Sequence, residues 1–193
     1  MLTKSRATIK DLYHVQGKAE LVNGEIVHMA PTGHDLAQAG GEVFVALRQY
    51  VRDTKRGLAV PDNAGFRVDL PNRESFSPDA AYHVGKPTGM KFYDSAPVFA
   101  VEVRSEGDYG PQTEREMAKK RADYFRAGTE VVWDVDLLAE DYVVKVYRAS
   151  DPNHPTGYRR GEIAEAEPAV PGWRMPVDDL FGSPDYPPPV SSN

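Results

Sequence analysis

The sequence predicts a mixed α/β protein of the α+β kind, in which a mixed β-sheet is flanked by helices and preceded by an N-terminal hairpin. Three observations predict it. Helical and extended patterns alternate along the chain in the order α, ββ, α, ββ, β, β, α, ββ, which suits helices laid against a mixed sheet. Two short, largely apolar runs, residues 98–103 and 131–136, suit strands covered on both faces. Asn23-Gly24 stands between two alternating runs and marks a hairpin, because both central residues of a type I′ turn need positive φ.

Taken in order, residues 3–15 read as a short amphipathic helix with Ile9, Leu12 and Tyr13 on one face and Gly17 as its stop. The hairpin follows over residues 19–29, with Glu20 on its first strand. Pro31-Thr32-Gly33 breaks the pattern, and residues 36–54 form a long helix whose stripe is Leu36, Val43, Leu47, Tyr50 and Val51. Residues 58–60 and 65–70 read as strands on either side of a turn at Pro61-Asp62-Asn63. Residues 71–76 read as a polar loop leading to a strand over 77–82 that carries Asp79. Gly85, Pro87 and Gly89 make residues 83–97 a mobile loop. After the apolar strand 98–103, a turn leads to a helix over 113–127, closed by Gly128 at the preferred C′ position. Residues 131–136 and 142–148 pair as a hairpin, and 158–163 add an edge strand. Residues 170–181 form an apolar clasp with a short helical turn. From Gly182 on, Ser, Pro and Asp dominate, so one domain is expected over 1–181 with a disordered tail over 182–193.

At 193 residues the chain suits one domain with a sizeable core. No apolar run approaches the roughly 20 residues a membrane-spanning helix needs, and residues 1–10 have no signal-type apolar segment, so no membrane partner and a cytoplasmic location are expected. The absence of cysteine excludes disulfides, thiolate nucleophiles and cysteine-ligated metals. A net charge of -6 argues against coating nucleic acid by bulk electrostatics, although a local basic face can still meet a substrate.

The sharpest anomaly is Glu102, an acid inside an otherwise apolar strand. A buried carboxylate needs a cation, a basic partner or a raised pKa. Asp79 lies on a nearby strand, and if the two strands are neighbours both acids can converge on one ion. Hard divalent cations prefer such oxygen ligands. The competing readings are an ion pair from Glu102 to Arg104, Arg121 or Lys120, and a turn-binding role for Asp79. Glu20 is a candidate third acid, with a solvated hairpin position as its alternative. On the helix, a projection at 100° per residue sends Met117, Ala118, Tyr124 and Phe125 toward the core and leaves Lys119 outside. Lys120 lies at the border, within reach of the sheet. Arg121 projects into the apolar face, which calls for an acid there. The histidines show no metal-ligand spacing, and no GxSxG, Walker or GxGxxG motif occurs. Trp133 and Trp173 read as core residues.

Several stretches together resemble the Uma-type family of restriction-endonuclease-like proteins in the PD-(D/E)xK nuclease superfamily. They are Glu20-Leu21-Val22-Asn23-Gly24-Glu25-Ile26, Ser77-Pro78-Asp79 with Ala80-Ala81-Tyr82, and Val101-Glu102-Val103-Arg104-Ser105. Lys120 with Tyr124 and Gly128, Trp133-Asp134-Val135-Asp136, and Pro171-Gly172-Trp173-Arg174-Met175-Pro176 complete the series, in family order over about residues 10 to 181. The resemblance implies a restriction-endonuclease-like core, cleavage of phosphodiester bonds in nucleic acid, DNA foremost, with Mg2+ or Mn2+, and a homodimer. It implies Asp79 and Glu102 as metal ligands, the Val103 carbonyl as a further one, Glu20 as an accessory acid and Lys120 as the catalytic lysine. Arg104 stands where the superfamily pattern has lysine, and an arginine cannot give up its proton. Lys120 on the helix is the expected replacement. Two other functions fit the same acids: a catalytically silent nuclease-fold module that binds nucleic acid or protein, and metal-free glycoside hydrolysis by paired carboxylates.

Overall fold

The structure, a computed structural model, describes residues 6–182. The expected tail lies outside the described residues apart from Gly182. The chain opens with helix α1 (Ile9–Leu12), capped by Thr8, whose hydroxyl accepts from the Asp11 amide while the Asp11 carboxylate accepts from the Thr8 amide. This helix is one turn long, shorter than the amphipathic pattern predicts. Strands β1 (Ala19–Val22) and β2 (Glu25–His28) then form the expected hairpin, with Asn23 at φ 54° and Gly24 at φ 75°. Helix α2 (His34–Thr54) follows and buries Ala39, Gly40, Val43 and Leu47.

The next strands are β3 (Leu58–Val60), β4 (Phe66–Leu70), β5 (Arg73–Phe76), β6 (Ala80–His83) and β7 (Phe99–Val103). Helix α3 (Pro111–Arg126) leads to β8 (Val131–Val135), β9 (Val144–Arg148), β10 (Asp151–Tyr158), β11 (Ile163–Glu165) and β12 (Arg174–Pro176), and a 3-10 turn spans Val177–Phe181. Proline at the first helical position starts α3 without losing an intrahelical bond.

The main sheet has six strands in the order β10-β9-β8-β7-β6-β3, a second sheet has the order β2-β1-β5-β4, and β11 pairs with β12. Only the β7–β8 pair in the main sheet is parallel, and α3 makes that crossover. Alternation along β7 divides the core. Phe99, Val101 and Val103 face α2, Trp133, Trp173 and the C-terminal segment. Ala100, with Ala81 and Val132, faces Tyr124 of α3 and Phe76 of the second sheet. Thus β7 is covered on both faces, as its apolar run predicts.

Several local expectations are corrected. Residues 71–76 are not all loop. Arg73–Phe76 is a strand, hidden from sequence reading because its buried members are an arginine, a serine and a phenylalanine rather than a regular apolar alternation. The strands on either side of Pro61-Asp62-Asn63 enter different sheets. The edge strand of the main sheet is Asp151–Tyr158, whose Pro152 and Pro155 an edge strand tolerates, and its pairing with β9 shifts register between Asp151 and Thr156. Ala118 is exposed instead of core-facing, while Asp123 on the same helix is buried.

Candidate active site

The antiparallel register of β6 on β7 sets Ala80 across from Val101 and Ala81 across from Ala100. One step further places Asp79 across from Glu102, so strand alternation turns both carboxylates to the same face. Asp79 itself stands just before β6, and its amide extends the ladder by donating to the Val101 carbonyl (3.0 Å). On the other side, the parallel register sets Glu102 beside Asp134. Three acids therefore lie in a row across β6, β7 and β8, beneath α3.

The row divides by what compensates each acid. Asp134 is buried and fully countered: Arg104 binds it through Nε (2.7 Å) and Nη2 (2.8 Å), and Arg121 adds a bond at 3.1 Å. Arg121 also lies over the Tyr147 ring at 4.0 Å, so the charge projected into the apolar face has found its acid. Arg104 is tied on its outer side to Glu114, which removes it from the two remaining carboxylates. Arg104 consequently does not stand in for a catalytic lysine.

Lys120 reaches from α3 to Glu102 Oε2 (2.8 Å) and to Glu20 Oε1 (3.0 Å). Of the ion pairs open to Glu102 from sequence, the one with Lys120 forms. The Glu20 side chain is only 6 % exposed. It also accepts from the Ser77 amide (2.9 Å) and binds Arg73, whose Nε bonds Asp123 (3.1 Å). Burial pushes the Glu20 carboxyl up, but the charges of Lys120 and Arg73 outweigh it and hold this acid below the ordinary carboxylate range. Glu20 is thus not a free hairpin residue; it is the fixed anion under Lys120.

Glu102 is placed differently. Its side chain is 22 % exposed and lines a cavity of about 330 Å3. Tyr124 donates its hydroxyl to Oε1 at 2.6 Å, from a buried ring stacked on Phe76. Burial raises the Glu102 pKa, Lys120 opposes this, and the neighbouring charges of Asp79 and Glu20 raise it again, so the carboxyl ends above its ordinary value. Glu102 therefore differs from Glu20, whose pKa is held below the ordinary range. Burial pushes Lys120 down, yet Glu102 and Glu20 together lift it above the ordinary lysine value, so it stays an ammonium.

Asp79 Oδ2 accepts from the Val103 amide (2.7 Å), and Oδ1 is held by Lys18 (2.6 Å). Close packing of α2 fixes this residue: a Cβ on Gly40 would lie 3.3 Å from the Asp79 carbonyl oxygen. Asp79, Glu102, Val103, Lys120 and Lys18 all line the one cavity, with Met29, Pro31 and Leu36 forming its apolar wall. Asp79, Glu102 and Lys120 thus meet at the cavity, and Glu20, which does not line it, joins them through Lys120. Lys18, Arg73, Tyr124 and Asp62 belong to the same network and were missed. Tyr124 alone carries a signal, its place in the motif shared with Lys120 and Gly128; it is the core ring the helix projection predicts, and its hydroxyl reaches Glu102 as well.

Among the described residues no group of three or more His, Asp or Glu is arranged to hold a metal ion. Of the four carboxylates lining the cavity, Asp134 is taken up by Arg104 and Arg121 and Asp108 by Ser105; Asp79 and Glu102 fit a hard cation that keeps most of its waters and takes one or two protein carboxylates, as magnesium does.

A mixed sheet flanked by helices, with carboxylates from two adjacent segments and a lysine at its face, is the arrangement that the resemblance to restriction-endonuclease-like proteins implies. The chain belongs to the Uma2 family, described as "Putative restriction endonuclease", whose model matches residues 8–178. It is also similar to a solved structure from Anabaena variabilis ATCC 29413, titled a "putative nuclease belonging to DUF820". That likeness has a TM-score of 0.69 at 15% identity, covers 90% of this chain and 97% of the other, and shows the fold. The search of curated proteins gives no match. No helix among the described residues is long and apolar enough to cross a membrane.

Proposed function

We propose that the protein is a magnesium-dependent endonuclease that hydrolyses phosphodiester bonds of nucleic acid, DNA foremost, and that it works as a homodimer. The observation that carries this reading is the convergence of Asp79 and Glu102 with Lys120 in one cavity. Asp79 and Glu102 would hold the cation, with the Val103 carbonyl as a further ligand. When bound, such a cation polarises the phosphate and lowers the pKa of a bound water.

The remaining work falls to this chain's own groups. Lys120 is held protonated, so its part is to donate hydrogen bonds and offset charge on the phosphate rather than to accept a proton. Glu20, ionised and anchored by Arg73 and the Ser77 amide, fixes the ammonium in place. Tyr124 orients Glu102. The apolar wall of Met29, Pro31 and Leu36 limits water on one side of the cavity. Cleavage without sequence preference is expected, since no base-reading motif is visible in the sequence.

The test is nicking of a supercoiled plasmid with Mg2+ by the full chain and by Asp79→Asn, Glu102→Gln and Lys120→Met. Each substitution should lower the rate by at least ~100-fold, the scale for removing one preorganised charge-stabilising group. Cleavage that survives excess EDTA, or that Asp79→Asn leaves intact, sinks the proposal. A silent binding module is the second reading, favoured by the lysine already seated on each acid. Nucleic-acid binding without any Mg2+-dependent nicking would select it.

A further inference from the structure

Lys18 is absent from every motif in the sequence, yet its ammonium sits 2.6 Å from Asp79 Oδ1 and 2.6 Å from Asp62 Oδ1. We infer that Lys18 is a resident cation of the site: it occupies the Asp79 oxygen that a divalent ion needs, and that ion binds by displacing it onto Asp62. This rests on Asp79 being a cation ligand, as proposed above.

The two oxygens of Asp79 are not equivalent. Oδ2 is tied to the β7 backbone through the Val103 amide, whereas Oδ1 is held by a side chain, that of Lys18. The Lys18 side chain is 12% exposed and Asp62 is 40% exposed, which places the ammonium between an inner and an outer acid. Leaving Asp79, Lys18 keeps Asp62, so no bare ammonium is left in a half-buried site and the exchange avoids the penalty of an unpaired charge. Lys120 also bridges two acids, but its second acid, Glu20, is 6% exposed, whereas that of Lys18, Asp62, lies toward solvent. The consequence is a divalent-ion affinity lower than the two carboxylates alone would set.

Isothermal titration of the full-length protein with Mn2+ tests this, with circular dichroism confirming the fold of each variant. Lys18→Met should tighten Mn2+ binding by roughly tenfold or more, the scale for removing one like charge a few ångströms from a partly exposed ligand. Asp62→Asn should weaken it several-fold, because Lys18 then loses its outer ion pair and stays on Asp79. Lys119→Met removes the same charge from the outer face of α3 and should leave affinity within about twofold, since solvent screens it. Wild-type binding that Asp79→Asn abolishes, together with Lys18→Met binding no tighter, overturns the role of Lys18 and leaves the proposed metal site standing. Mn2+ binding that is absent throughout, or indifferent to Asp79→Asn, overturns both. If Lys18→Met does not fold, Asp62→Asn decides, and unchanged or tighter binding in that variant overturns the inference.

Discussion

Removal of a single oxygen, in Tyr124→Phe, isolates how the site holds Glu102. The ring is fully buried and stacked on Phe76, with centroids 3.9 Å apart and planes at 14°, so phenylalanine fills the same space. What disappears is one hydrogen bond, from the hydroxyl to Glu102 Oε1 at 2.6 Å. Burial and the nearby charges of Glu102 and Glu20 push the Tyr124 pKa well above the ordinary phenol value, so the hydroxyl is a donor throughout the accessible pH range. A bond to a charged acceptor is worth ~1.5–3 kcal/mol. Glu102 is 22 % exposed and water takes over part of the loss, which leaves about 1–2 kcal/mol. For a chain of this size that is a fall in Tm of roughly 2–8 °C.

The pH dependence gives the sign. Glu102 already has a folded pKa above the unfolded value of 4.5, so its contribution to stability is present below 4.5 and is lost as pH rises through the folded value. Removing a donor to the ionised form raises the folded pKa further, by about one unit for each 1.4 kcal/mol. The loss in Tm should therefore be largest near neutral pH and shrink toward pH 4.5, and the acid limb of Mn2+ binding should move to higher pH by about one unit. Thermal melts across pH and Mn2+ titrations read both. A variant with unchanged Tm near neutral pH and an unmoved acid limb would show that the hydroxyl does not hold this carboxylate.

Glu20→Gln removes the anion shared by Lys120 and Arg73 and should lower stability by ~3–5 kcal/mol in urea unfolding at neutral pH. Because the folded pKa of Glu20 lies below 4.5, the wild-type advantage is present above 4.5 and should vanish as pH falls through the folded value; an advantage that persists in acid would refute the assignment. Arg104→Lys restores the superfamily's residue in name only. It gives up the two-point grip on Asp134, so about 1–3 kcal/mol of stability should be lost in the same unfolding assay. Plasmid nicking should not rise, because Asp134 and Glu114 hold the side chain at this position away from Asp79 and Glu102, and a gain would show that position 104 takes part in the chemistry.

The difference between what sequence reading reached and what it missed follows from local and distant causes. The hairpin at Asn23-Gly24, the stripe of α2 and the apolar run of β7 are written in neighbouring residues, and each forms where expected. β5 and β10 are not written that way. Arg73 is buried because Glu20 and Asp123, 53 and 50 residues away, neutralise it, and β10 accepts its prolines because it is an edge. The site divides along the same line. Glu102 was legible because an acid among Phe99, Ala100, Val101 and Val103 is costly wherever that strand is placed. Lys18, 61 residues from Asp79, is an ordinary polar residue until the fold brings it to its acid. The convergence of Asp79 with Glu102 belongs to neither residue alone. It depends on antiparallel pairing with Ala80 across from Val101; a slip of one residue would turn Asp79 to the opposite face of the sheet and leave Glu102 without its partner. The small side chains of Ala81 and Ala100, paired one step further in, let the Tyr124 and Phe76 rings lie against this face and hold α3, with Lys120, over the two acids. Packing of two alanines against an aromatic pair is thus what positions the charged groups, and the chemistry of the site is inherited from the register of an apolar strand.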